Sequence, residues 1–128
     1  MPVCVLIIDV DRTVTDGAAR DLPAHGYRVF TATNGEEGLR LFRAVKPEIV
    51  VTELLMPGCD GIECIIQIKR EAPGTRIVAT TSGGVVERDY CLHVARSLGA
   101  ESGLSKPFTI RQLADAVAAV RRKGSGGS

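Results

Sequence analysis

Residues 47–61 read PEIVVTELLMPGCDG, and the fold turns on this stretch. Ile49, Val50 and Val51 form a short apolar run rich in β-branched side chains, the composition of a strand buried on both faces. The run leads through Thr52 to a carboxylate, Glu53. Pro57-Gly58 and Asp60-Gly61 then break the chain before the next apolar periodicity begins. A carboxylate at the carboxyl end of a parallel strand stands where open α/β sheets place their functional sites. Taken alone, Glu53 is more simply a solvated strand-end acid, so the flanking sequence has to decide.

Outward from this stretch, strand and helix patterns alternate. Val3–Ile8 (VCVLII) is an apolar run too short for a helix, and it ends on Asp9-Val10-Asp11. Val14, Ala18 and Leu22 recur at helical spacing. Gly17 weakens that helix, Pro23 ends or kinks it, and Gly26 marks the turn out. A second strand is predicted over 27–31. Asn34 then caps a helix that has Glu36 and Glu37 in its first turn, carries Leu41, Phe42 and Val45, and stops before Pro47.

Beyond the opening stretch, Ile62, Ile65, Ile66 and Lys69 are predicted to share the inner face of a third helix, ended by Pro73-Gly74. Arg76–Thr81 (RIVATT) is a fourth strand, followed by a Ser82-Gly83-Gly84 loop. Tyr90, Cys91, Val94 and Leu98 give a fourth helix its apolar stripe, closed by Gly99. A weak fifth strand over 101–105 leads to Lys106-Pro107-Phe108. The last helix is expected to bury Ile110, Leu113, Ala114, Val117 and Val120. Five strands alternating with five helices imply one doubly wound parallel sheet covered on both faces, because parallel strands need crossover connections. Residues 1–123 form that single domain. Residues 124–128 (GSGGS) have linker composition and are set aside as a flexible tail or cloning scar.

Bulk properties narrow the function. At 128 residues the chain suffices for one domain and not for two. Sixteen basic and fifteen acidic residues leave a net charge of +1, which gives no electrostatic case for nucleic acid or an anionic membrane as the main partner. No run approaches the roughly 20 apolar residues that span a bilayer, and no secretory segment opens the chain, so a cytoplasmic protein is expected. Cys4, Cys59, Cys64 and Cys91 lack CxxC or His-partnered spacing, so neither zinc nor a disulfide framework is indicated. His25 and His93 have no second ligand at metal spacing and read as structural.

Four polar residues converge at strand ends: Asp9 after the first strand, Glu53 after the third, Thr81 after the fourth and Lys106 after the fifth. In a doubly wound sheet they share one edge, at a topological switch point. Each has a dull explanation by itself. Four polar residues at the ends of four of the five strands are harder to set down to chance.

With the acid-bearing end of VLIIDVD, the TELLMPGCDG segment, Thr81 and the SKPF tetrapeptide at 105–108, the chain resembles the receiver domain of bacterial two-component response regulators, a flavodoxin-like fold shared with the chemotaxis regulator. The resemblance runs from Val3 to about Val120. It implies a signalling domain and not an enzyme. In such domains an aspartate at the end of the third strand accepts a phosphoryl group from a histidine kinase with the help of magnesium. The matching phosphoacceptor position here is Glu53. Asp9 and Val10 match the two acids that help hold the ion, and the Leu55 carbonyl matches its backbone ligand. Thr81 matches the hydroxyl that senses the phosphoryl group, Lys106 its cationic partner, and Gly103 the aromatic switch position, with no ring.

Three of these positions depart from the family pattern. Glu53 has an extra methylene, and an error of about 1 Å in placing a reacting group can alone cost on the order of 100-fold in rate. Val10 deletes an oxygen ligand from an ion that demands octahedral oxygen coordination, so magnesium is expected to be weak or absent. Gly103 cannot swing a ring. The expectation is a stand-alone, atypical receiver acting by phosphorylation-independent protein–protein interaction, with Glu53 as phosphomimic held by Lys106. Its partner would dock on the face made by the fourth helix, fifth strand and fifth helix, which the resemblance also makes a candidate homodimer surface. The alternative is a working phosphoacceptor served by a histidine kinase, its glutamate tolerated or introduced by mutation. A nucleotide binder or small enzyme using Asp9 with Glu53 and a Ser82-Gly83-Gly84 cradle is disfavoured, since neither a dinucleotide fingerprint nor a Walker sequence is present.

Overall fold

In the computed structural model, residues 2–56, 61–82 and 85–126 are described. Among them the chain runs β1 (Val3–Ile8), α1 (Arg12–Asp21), β2 (Tyr27–Ala32), α2 (Gly35–Val45), β3 (Ile49–Glu53), α3 (Gly61–Glu71), β4 (Arg76–Thr81), α4 (Val85–Ser97), β5 (Ser102–Ser105) and α5 (Ile110–Gly126). Pro57, Gly58, Cys59 and Asp60 lie outside the described residues, as do Gly83, Gly84, Gly127 and Ser128. The five strands form one parallel sheet in the order β2-β1-β3-β4-β5. The order reverses between β1 and β3, so the switch point falls between the ends carrying Asp9 and Glu53.

Strand periodicity divides the core in two. Leu6, Ile8, Val50, Ile77 and Ala79 face one side, against Phe42 of α2, Cys64, Ile65 and Ile68 of α3, and Ala95 of α4. Val5, Ile7, Ile49, Val51 and Val78 face the other, against Ala18 of α1 and Leu113, Val117 and Val120 of α5. Each fully buried aliphatic side chain of this kind stabilises by roughly 1.5–3 kcal/mol.

Local chemistry sets the element boundaries. Asp11 caps α1, its carboxylate accepting from the Thr13 N–H at 2.9 Å. Pro23 closes that helix into a short 3-10 turn, Leu22–His25, and Gly26 leaves it with φ 91°. Asn34 caps α2, accepting from the Glu37 N–H at 2.8 Å, and Glu37 reaches back to the Thr33 N–H at 3.0 Å. α2 ends on Lys46 in the left-handed conformation, immediately before Pro47.

Several sequence expectations are corrected. Of the expected stripe Ile62, Ile65, Ile66 and Lys69, Ile65 is buried and Ile62 packs half-buried against the core, but Ile66 is exposed and the inner face is completed by Gly61, Cys64 and Ile68. Lys69 instead lies along the α3 edge, donating to the Thr75 carbonyl at 2.7 Å and to Glu101 at 2.8 Å. On α4, among the described residues, Ala95 is the fully buried side chain; Cys91 and Leu98 of the expected stripe pack half-buried against the core, whereas Tyr90 is 68% exposed. The weak apolar contrast of that helix left its phase open. β2 runs one residue further than expected, β5 starts one later, and α5 runs to Gly126. Glycine weakens a helix by about 1 kcal/mol per residue without forbidding it.

Candidate functional site

Asp9 and Glu53 are buried, at 1% and 2% exposure, each at the end of a strand otherwise lined by aliphatic side chains. β1 and β3 are neighbours, and so are β3 and β4, with Glu53 opposite Thr80. Residues directly opposite in register point to the same face. The Thr80 hydroxyl accordingly donates to Glu53 Oε2 at 3.2 Å, and the Ser82 hydroxyl, two residues on, donates to Oε1 at 3.3 Å. The Lys106 backbone N–H donates to the Thr81 carbonyl at 2.8 Å. That bond fixes the lysine beside β4, and its ammonium reaches across the strand ends. Lys106 Nζ is 3.0 and 2.9 Å from the two carboxylate oxygens of Asp9 and 3.6 Å from Glu53 Oε1.

One ammonium thus serves two carboxylates, and it sits closer to Asp9. Burial raises the Glu53 carboxyl above the usual glutamate range; Lys106 and the two hydroxyls pull it down, Asp9 pushes it up, and the net shift is upward. Burial works to lower the Lys106 ammonium, but the hydrogen bond to Asp9 and the charges of Asp9 and Glu53 outweigh it and hold it above the ordinary lysine range.

Glu53, Asp9 and Lys106 come together as the sequence suggested. Thr81 does not join them. Its side chain alternates to the opposite face of β4, and its hydroxyl donates to the Ser82 carbonyl at 3.0 Å. The hydroxyls on Glu53 belong instead to Thr80 and Ser82, which the sequence reading passed over. Strand pairing held the signal, because a residue in register with Glu53 had to share its face. Val10 and Leu55 flank the cluster on the same sheet edge and expose apolar side chains, at 43% and 49%. Gly103 lies in β5, where Leu92 of α4 fills the space over it: a Cβ there would come within 2.7 Å of Leu92 Cδ2. Gly61, opening α3, is pressed against the end of β3, and a Cβ on it would lie 2.0 Å from the Glu53 carbonyl oxygen.

The donor set does not suit magnesium. Both Asp9 oxygens are engaged by Lys106, and Oδ1 also accepts from the Asp11 N–H at 2.9 Å. The Asp11 carboxylate is taken up in capping α1. Val10 supplies no side-chain oxygen. Among the described residues no group of three His, Cys, Asp or Glu side chains is placed to hold a metal ion.

Residues 5–118 match the family model of the response regulator receiver domain. The chain belongs to that family. It is 35% identical to Response regulator MprA of Mycolicibacterium vanbaalenii, over 96% of this chain and 52% of that protein. It is 33% identical to the probable transcriptional regulator ycf27 of Guillardia theta, over 93% of this chain and 45% of that protein. The receiver domain therefore spans about half the length of the curated relatives it matches. Among solved structures it resembles a CheY-like receiver domain protein from Methanospirillum hungatei, with a TM-score of 0.90, 20% identity and both chains fully covered. It also resembles a receiver domain protein from Clostridium thermocellum, with a TM-score of 0.82 and 29% identity over 94% of this chain and 96% of that one. Fold and family agree: this is a flavodoxin-like receiver domain of two-component signalling. Such domains generally bind magnesium and interact with histidine kinases and other proteins. Among the described residues of this one, no helix is long and apolar enough to cross a membrane.

Proposed function

We propose that this receiver domain works as a phosphorylation-independent interaction module, with Glu53 standing in for the phosphorylated state. What supports the reading is the Lys106 ammonium, 2.9 Å from Asp9 and 3.6 Å from Glu53, already engaged by the chain's own acids. Glu53 brings one negative charge to a position where a phosphoryl group brings roughly −1.5 to −2. Its longer side chain meets Thr80, Ser82 and Lys106, so the ends of β3 and β4 and the segment before α5 are tied through side chains. Desolvation of a buried pair offsets most of its attraction, so this tie biases the loops without locking them. The partner is a protein that docks on the α4–β5–α5 face, where Tyr90 and His93 are exposed.

The test is incubation with acetyl phosphate and magnesium, followed by intact-mass measurement. The unmodified mass is expected; a gain of one phosphoryl group overturns the proposal. The competing reading, a phosphoacceptor that tolerates glutamate, draws on the hydroxyls and the lysine still gathered around position 53. It requires that Val10→Asp together with Glu53→Asp improve magnesium binding and phosphorylation over the starting protein.

A further inference from the structure

We propose that a cleft at the amino-terminal edge of the sheet is a second binding site, for a small organic anion with an apolar body. The cleft touches Val3, Ile49 and Arg76, which open β1, β3 and β4, so it lies at the far end of the strands from Glu53. Its volume is about 770 Å³. That falls within the ~300–1,000 Å³ typical of small-molecule sites. Val3, Phe42 and Ile49 supply an apolar lining that is buried in the fold.

Charge selects the ligand. Arg43, Lys46, Arg76 and Arg121 line the cleft with Glu48 and Glu71, so four cations face two carboxylates and two positive charges are left over. The whole chain has a net charge of only +1, which makes this excess local to the cleft. Three of the four cations also make contacts that help hold them. Arg43 forks onto Glu71, with contacts of 3.0 and 2.7 Å that join α2 to α3 along one wall. The Arg76 guanidinium donates to the Gly74 carbonyl, and that of Arg121 lies 5.8 Å from the centroid of the Tyr27 ring. Side chains ordered beforehand lose less freedom when a ligand arrives. Guanidinium forks match the oxygens of a carboxylate or phosphate monoester, and the lining takes the rest of such a molecule.

A titration of the full chain with 2-naphthoate, followed by ¹H–¹⁵N NMR, tests the site, with 2-naphthamide as neutral counterpart and inorganic phosphate as bodiless anion. Saturable shifts are expected at the amides of Val3, Ile49, Thr75 and Arg76. Naphthoate should bind roughly tenfold more tightly than the amide, the scale of one charge-assisted hydrogen bond. Arg76→Gln combined with Arg121→Gln should erase that preference with the remaining spectrum intact, and Arg20→Gln on α1 should keep it. Absence of saturable shifts, equal binding of acid and amide, or equal binding of inorganic phosphate would each overturn the proposal.

Discussion

Lys106 holds two acids that would otherwise face each other across the β1–β3 switch point. Lys106→Met leaves both buried carboxylates without their cation. The expected cost is about 3 kcal/mol in urea denaturation at neutral pH, the scale of breaking a buried pair from one side. Most of that loss should return when Asp9→Asn is added, because the repulsion goes with it; no recovery would mean that the lysine acts through its aliphatic stem. The pH dependence has a definite sign. Glu53 titrates above its ordinary range when folded, so its contribution is full in acid and fades as pH rises through the folded value. Lys106 also titrates above its ordinary range, so its contribution is full at neutral pH and fades only in the alkaline range. Stability should therefore fall as pH rises out of the acid range, a fall absent from Glu53→Gln, and fall again as pH rises through the alkaline range, a fall absent from Lys106→Met.

At the level of elements, two glycines set how closely helices approach the sheet, and their neighbours predict different outcomes. A Cβ at Gly103 meets the flexible end of Leu92, so Gly103→Ala should cost about 1–3 kcal/mol, with relief when Leu92→Ala is added. A Cβ at Gly61 meets the backbone of Glu53 and Leu54, which cannot turn aside. Gly61→Ala should lower the thermal unfolding midpoint more than Gly103→Ala does. Element order and the gathering of Asp9, Glu53 and Lys106 were legible in the sequence, because aliphatic runs, breakers and strand-end charges each leave local marks. The phase of α3 was less so. Isoleucines at 62, 65, 66 and 68 give two overlapping stripes, and only the sheet selects between them. Thr80 and Ser82 were hidden behind Thr81 for a related reason: register between two strands is a property of the pair, and neither strand records it alone.

For the molecule as a whole, ion binding and folding are linked, since a ligand of the native state at 100 times its dissociation constant adds about 2.7 kcal/mol. Millimolar magnesium should leave the urea midpoint of the starting protein unchanged and raise that of Val10→Asp/Glu53→Asp. A rise in the starting protein would show that Lys106 yields its place to the cation. The lysine clamp also has a bearing on timing. A relay that is switched by a labile acyl phosphate resets when that anhydride hydrolyses, on a clock written into its own chemistry. If Glu53 stands in for the phosphorylated state, as proposed, Asp9, Lys106 and Glu53 have nothing to shed, and the strength of the message is then governed by how many copies the cell makes and destroys.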